Sequence, residues 1–480
     1  MRKAPAIFSV DLIQQEDGTF KVLELNRGLD SGYEGYRMAT GGEEAGADLW
    51  KNSLKPLIFD FADANKMHVK WYGKEHMLGR SKPIRELKDP DKLRNALMVG
   101  DVITDEFCTL ADKTNSALLD GYSVLWAAYF DKAFFARLAE RIDSLGRYTP
   151  KQKVYGHMEE WDALVERIKE DFKGVEELVL KDASSCAGHN VYFIRMSDLK
   201  AGQETPNILW ARKRFTDTKF GSDSISSNSS RCQMSHQMFP HFVVQECVKA
   251  KLVPDLTRDW EAEIRAYEEN RDNPEASVGK IGANPYVDMN KFYRPVIRAV
   301  VSAVPSNEGS DAAYDFKIHG TYYKYPFKPV TGLDDFNEDC LLSDVTSRRD
   351  GPSAALLEED IQKQLEAFIQ EDLAPSVAAI MDMSIDNVVK DLLRSEDRAD
   401  HLLGLNMLLD PQYFWGDEII LDQEIYDLTH KVLASDMDLQ IRSAVYLINA
   451  DQTVKPVGPV KQMVTGIVLK FTPQLRSLTL

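Results

Sequence analysis

The stretch "IFSVDLIQQEDGTFKVLELNRG", Ile7–Gly28, decides how the rest of the chain is read. Two strand-like runs, "AIFSVDLIQ" and "FKVLELN", flank Asp17-Gly18, a strong hairpin turn signal. Side chains alternate across a strand, so Glu24 and Asn26 share one face. A tight turn in simple register sets Asp11 opposite Glu24, which gathers three oxygen donors on one side of a hairpin. The other arrangement available to these residues is a solvated face of an edge hairpin. It fits poorly, because Val22, Leu23 and Leu25 leave the apolar and polar faces ill separated. A hard cation such as Mg²⁺ takes oxygen ligands and binds through one or two carboxylates plus substrate phosphates, so Asp11, Glu24 and Asn26 are read as candidate metal ligands.

The 480 residues suggest about three domain-sized units, and the composition is that of a globular chain with a real core. A formal net charge of −18 disfavours nucleic acid and anionic membranes as partners. Cys108, Cys186, Cys232, Cys247 and Cys340 are odd in number and lack CxxC spacing, so neither a disulfide framework nor a zinc site is expected. No apolar run is long enough to span a bilayer, and "MRKAPAIFSV" is too short in its apolar part for a signal peptide. The expectation is a soluble cytoplasmic protein.

After the hairpin, "RGLDSGYEGYRMATGGEEAG" reads as a glycine-rich loop, either at the surface or facing a substrate. From Leu54 to Arg147 short apolar runs alternate with helical ones; "PLIFDFAD", "MHVKWYG" and "VITDEF" read as possible strands. "HMEEWDALVERIKEDF" is an amphipathic helix with Trp161, Leu164, Val165 and Ile168 on one face. "SISSNSSRCQMSHQM" reads as a polar loop, "DLTRDWEAEIRAYEENRDNPEAS" as a charged helix, and "YRPVIRAVVSAV" with "DFKIHGTYYKYPF" as two paired strands. Beyond about Ala354 the chain turns helical and acidic.

Two further segments carry chemistry. In "ELVLKDASSCAGHNVYFI" a strand ends at Lys181 and is followed by small residues, which let backbone amides approach an anion closely. It is either a phosphate-binding turn or an ordinary hairpin with an exposed lysine. The Walker and kinase glycine patterns are absent. "HFVVQECVKA" is a buried strand with a polar end, either a core strand alone or one whose edge can read an adenine ring.

Taken together, "VDLIQQEDGTFKVLELN", "LVLKDASSCAGHNV", "VVQECV" and "RPVIRAVV" resemble the motifs of the ATP-grasp superfamily. Because the metal hairpin precedes the lysine strand, the order is similar to the circularly permuted branch, which holds eukaryotic glutathione synthetase and glutathionylspermidine synthase. The resemblance spans about Ala6 to Pro329 as scattered motifs. It implies an α+β fold: antiparallel sheets forming a nucleotide cleft, plus a C-terminal helical region. The parts are 1–55 (metal-binding), 56–150 (α/β, substrate side), 151–250 (lid), 251–350 (remaining core) and 351–480 (helical). It implies an ATP-dependent ligase that joins a small-molecule or peptide carboxylate to an amine through an acylphosphate, with ATP and Mg²⁺. Asp11, Glu24 and Asn26 are then metal ligands, and Lys181 contacts the α/β-phosphates. Lys153, or else Lys151, is a second nucleotide lysine. Ser184, Ser185, Gly188, His189 and Asn190 form a loop over the β/γ-phosphates, and Gln245, Glu246 and Val248 line the adenine pocket. Arg298 is the γ-phosphate arginine, with Arg265 as its alternate, and Lys324 faces the same cleft. Arg27, Ser31 and Tyr33 face the acyl substrate. Ser9 stands where relatives keep an arginine, which leaves open a small-molecule kinase. The single loop glycine leaves open a non-catalytic nucleotide-binding scaffold.

Overall fold

The computed structural model describes residues 2–41, 49–72, 94–100, 110–111, 113–156, 160–183, 191–216, 241–271, 285–306, 312–332, 336–343, 353–409, 422–436, 439–440, 443 and 463–468. The hairpin forms β1 (Ala6–Gln14) and β2 (Phe20–Arg27). Three strands follow, β3 (His68–Tyr72), β4 (Ala96–Gly100) and β5 (Ala117–Leu118), and they pair in parallel. Then come β6 (Gln152–Gly156), β7 (Glu177–Asp182), β8 (Val191–Arg195) and β9 (His241–Glu246). A short pair, β10 (Val253–Pro254) and β11 (Phe292–Tyr293), leads into β12 (Val296–Pro305), β13 (Tyr314–Lys324) and β14 (Ala354–Leu356). The arrangement is α+β, with two larger antiparallel sheets, the small parallel one and the short antiparallel β10–β11 pair among helices. One antiparallel sheet has the order β14-β13-β12-β1-β2 and the other β6-β9-β7-β8.

Of the opening hairpin, β2 forms an edge of its sheet and β1 does not. β1 lies between β2 and β12 and is buried along its whole length. Its even-numbered residues Phe8, Val10 and Leu12 join Ala299 and Val301 in the main core, together with Leu365, Val377, Val389 and Leu402 from the C-terminal helices. On the opposite face Ile7 and Val300 pack against Leu49, Trp50, Leu54 and Ile58. The polar residues Ser9 and Asp11 share that second face by alternation.

Asp11 does pair with Glu24, but not through a two-residue turn. The loop runs over Gln15–Thr19, closed by Gln15 N–H donating to Thr19 O (2.8 Å) and Gly18 N–H to Gln15 O (3.0 Å). Gly18 has φ +87°, which suits glycine, and Asp17 Oδ1 accepts from the Thr19 amide at 3.0 Å. Gln14 therefore faces Phe20, and Leu12 faces Val22. A bulge at Leu23 then restores the Asp11–Glu24 pairing.

The glycine-rich stretch, expected as a loop, is helical over Gly28–Ala39. Its glycines serve close packing: a Cβ on Gly28 would lie 2.8 Å from the backbone of Phe8, and one on Gly35 would lie 2.2 Å from the Tyr322 ring. "PLIFDFAD", expected as a strand, lies in the helix Lys55–Ala64, with Pro in its first turn and Ile58 and Ala62, one turn apart, buried. "VITDEF" and "SISSNSSRCQMSHQM" lie outside the described residues.

The C-terminal residues, expected as a helical region of their own, share structure with the sheet. β14 pairs with β13, and the helices cover the even face of β1. Ile385–Arg394 buries Ile385, Val388, Val389, Leu392 and Leu393, the i, i+3, i+4, i+7, i+8 stripe of a core-facing helix.

A candidate active site where the two antiparallel sheets meet

Asp11 sits at the centre of β1 and directly opposite Arg298 of β12. Arg298 Nε donates to Asp11 Oδ1 at 2.5 Å and Nη2 to Oδ2 at 2.6 Å, the two-pronged geometry of a guanidinium on a carboxylate. Lys324, at the end of β13, adds a third bond to Oδ2 at 2.6 Å. All three groups are buried. Burial opposes ionisation of Asp11, but Arg298 and Lys324 outweigh it and hold the carboxyl well below its usual range. Burial, with Arg298 beside it, lowers the Lys324 ammonium; Asp11 and Glu24 oppose that shift.

Glu24 lies across the hairpin from Asp11 and is a quarter exposed. Its Oε1 accepts from Asn26 Nδ2 at 3.3 Å, so the two side chains do share a face. Lys132 Nζ lies 3.7 Å from Glu24 Oε2. Lys132 opens the helix Lys132–Arg141, whose N-cap Asp131 accepts from the amides of Ala133 and Phe134. The backbone amide of Lys132 donates to Ala183 O at 2.9 Å, directly after β7, which ties this helix start to the second antiparallel sheet.

Lys181 projects from β7 of that sheet. Its Nζ donates to Gln245 Oε1 at 2.7 Å, and Gln245 Nε2 donates to Gln152 Oε1 at 3.1 Å. Burial pushes the Lys181 ammonium down to about 8; Glu24 and, more weakly, Asp11 pull it up, and Lys132 pushes it down. Lys181 of the second sheet is thus within electrostatic reach of Glu24 and Asp11 of the first and of Lys132 at the helix start, which itself pairs with Glu24. The Cys247 thiol nearby is pushed up to about 12 by burial and by Glu177, so it is not a nucleophile at neutral pH.

The remaining expected residues fall elsewhere or outside description. Lys153 alternates with Gln152 along β6, and its Nζ pairs with Glu140 at 2.9 Å; Lys151 Nζ lies 5.3 Å over the Phe172 ring. Neither lysine joins the Gln152–Gln245–Lys181 chain. Arg265 lies within the helix Trp260–Arg271. The Glu246 amide donates to Lys151 O at 2.8 Å, and Val248 is partly buried beside Leu23. Arg27 lies 4.9 Å over the Trp126 ring. Ser184, Ser185, Gly188, His189 and Asn190 lie outside the described residues, as do the side chains of Ser31 and Tyr33.

Lys132 is the residue that sequence reasoning missed. The available signal was Asp131, a helix N-cap residue splitting "YSVLWAAYFDKAFFARLAERI" into two helices. Asp131 also braces the site from below: its Oδ2 lies 2.9 Å from His241 Nε2 at the start of β9, and His241 Nδ1 lies 3.3 Å from Asn406 Nδ2 of the C-terminal helices.

No protein-family model matches the chain, and no curated protein matches it. Among solved structures, the chain is similar to the D-cycloserine synthetase DcsG, with a TM-score of 0.30 and 12% identity over 65% of this chain and 82% of that one. It is also similar to a candidate gamma-glutamylcysteine synthetase from Methylobacillus flagellatus KT, with a TM-score of 0.37 and 9% identity over 84% of this chain and 89% of that one.

Proposed function

We propose that the chain is an ATP-dependent ligase of the permuted ATP-grasp kind, joining a carboxylate to an amine. One observation carries the reading: Asp11, Glu24, Arg298 and Lys324 of one antiparallel sheet, Lys181 of the other and Lys132 at a helix start gather four cations around two carboxylates. An excess of positive charge set around two acidic groups suits a polyphosphate with its counter-ion.

The donor chemistry fits Mg²⁺ in a restricted form. Asp11 is engaged on both oxygens by Arg298 and Lys324 and acts as their counter-charge. Glu24 and Asn26 are then the oxygen donors that would hold the ion, with phosphate oxygens completing its shell. When bound, the ion neutralises charge on the phosphates.

The chain's own groups do the rest by position and charge. Lys181 and Lys132 grip phosphate oxygens, with Lys132 rather than Lys153 as the second lysine. Gln245, oriented by Gln152, fixes the Lys181 ammonium. Arg298 and Lys324 receive the charge that develops as a substrate carboxylate attacks the γ-phosphorus. The product of that step is an acylphosphate and ADP; an amine then attacks the acyl carbon and phosphate leaves. No protein nucleophile is required.

A kinase of the same fold is the second reading, favoured by Ser9, which is fully buried beside Asn26 where relatives place an arginine. Purified protein given Mg–ATP with pooled amino acids, polyamines and peptides separates the two. ADP and free phosphate that depend on both an acid and an amine support the ligase, whereas ADP with a stable phosphorylated product supports the kinase. Absence of nucleotide binding by calorimetry, with and without Mg²⁺, refutes both.

A further inference from the structure

A second cluster lies on the same face of the five-stranded sheet. Ser302 stands four residues beyond Arg298 along β12, roughly 13 Å away at strand rise. Here the ladder between β12 and β13 passes from Val300–Gly320 to Val301–Ile318, which leaves His319 as the extra residue of a bulge. Bulges redirect a side chain out of the regular alternation. The His319 ring lies between two hydroxyls: Nε2 is 2.8 Å from Ser302 Oγ, which is fully buried, and Nδ1 is 2.5 Å from Ser53 Oγ. Ser53 in turn sits in a π-helical turn, Trp50–Leu54, a local irregularity that recurs at functional sites.

Ser53 is half-buried and lines an open cleft of about 920 Å³. Arg2, Lys3 and Lys317 line that cleft with Asp60 and Asp315, and the Lys3 ammonium is paired with Asp382 at 2.7 Å. The imidazole is neutral at pH 7, because burial, aided by Lys317, pushes it down to about 4. In the tautomer that carries its proton on Nε2, facing Ser302, the ring offers the Nδ1 lone pair to the Ser53 hydroxyl. A hydroxyl held by a neutral imidazole, itself oriented by a third group, is the arrangement of an activated serine nucleophile. None of these residues belongs to the ATP site proposed above.

We propose that Ser53 is the nucleophile of a second, ATP-independent site that cleaves esters of small acids bearing a further negative charge. Ser53 Oγ bonds to the ester carbonyl carbon while its proton passes to His319 Nδ1. The carbon–oxygen bond to the alcohol then breaks, and the alcohol departs with that proton. Water, giving its proton to the same nitrogen, cleaves the seryl ester to the free acid and restores the serine. Lys317 and Arg2 recognise the second negative charge of the acyl group.

The test uses the full chain with a fluorophosphonate probe and with p-nitrophenyl hemisuccinate and p-nitrophenyl acetate, without ATP. The expected result is a single phosphonyl label mapped to Ser53 by peptide mass spectrometry, and hemisuccinate hydrolysis that Ser53→Ala lowers by about a hundredfold or more. Lys317→Ala is expected to raise KM for the hemisuccinate several-fold with no change for the acetate. A wild-type chain unlabelled at Ser53, or S53A hydrolysing like the wild type, overturns the proposal. If S53A does not fold, the wild-type labelling map decides alone.

Discussion

Replacing Asp11 by Asn probes the ionic centre of the fold most directly. The side chain keeps its shape and loses its charge, which leaves Arg298 and Lys324, 7% and 4% exposed, facing each other without their counter-ion. A unit pair at about 4 Å is worth about 4 kcal/mol at an effective dielectric of about 20, so two pairs give about 8 kcal/mol gross. Several kcal/mol of that is offset by desolvation of the carboxylate, and removing one partner of a buried pair costs about 3–5 kcal/mol net. Asp11→Asn is therefore expected to destabilise the chain by that amount, read as a fall in the first urea transition midpoint. Adding Lys324→Met removes one of the stranded cations and should recover part of the loss, so the double-mutant cycle shows coupling of at least about 1 kcal/mol. The pH dependence has a definite sign. The folded carboxyl titrates below its unfolded value of about 3.9, so its contribution is complete above that pH and is lost as pH falls through the lower folded value. An Asp11→Asn variant within about 0.5 kcal/mol of wild type, or a double variant less stable than the single one, refutes the assignment of Asp11 as the counter-charge of these two cations.

Three other outcomes are expected. Since Lys181 titrates near 8 and phosphate raises an ammonium pKa, Mg–ATP binding should take up a proton above pH 8 and weaken as pH rises, by up to about 1.4 kcal/mol per unit. Calorimetry in buffers of different ionisation enthalpy measures that uptake, and none in Lys181→Met is the control. Glu24→Gln should leave the melting profile intact while lowering ATP turnover by about a hundredfold or more; turnover unchanged at saturating Mg²⁺ rejects Glu24 as a ligand. Gly28→Ala should cost about 1–3 kcal/mol by overpacking, because the new methyl meets main-chain atoms of Phe8 that cannot rotate away; an unchanged thermal midpoint contradicts the packing described.

The Asp11–Glu24 pairing was readable from the position of the Asp17-Gly18 turn, even though the real loop and the Leu23 bulge reach it by compensating departures. The strand ending at Lys181 and the pair of strands carrying Arg298 and Lys324 were equally legible from local pattern. What local pattern could not give was partnership across the chain. Gly28 and Gly35 read as loop residues until Phe8 and Tyr322 are seen against them. Nothing in the local pattern singles out Lys132; the Ala183 carbonyl is what fixes its backbone beside the second sheet. Lys153, two residues into a strand, had no local signal to say that Gln152 and not itself takes the Gln245 side.

The interior position of β1 has a consequence for how the chain reaches this state. Asp11 and its partner Arg298 are 287 residues apart. At about 5–20 residues per second, a ribosome delivers β12 roughly 15–60 s after β1. During that interval the edge of β1 that β12 later covers is open, on a strand that carries Ile7, Val10, Leu12 and Ile13, of the kind that recruits foreign strands. Asp11 is charged throughout that wait. Placed mid-strand with no cation beside it, the carboxylate penalises every apolar partner that could dock there, and it is satisfied only when Arg298 and Lys324 arrive together. The residue that anchors the finished sheet therefore also guards the nascent hairpin, and Asp11→Asn should raise aggregation in cell-free synthesis even under conditions where the completed chain remains folded.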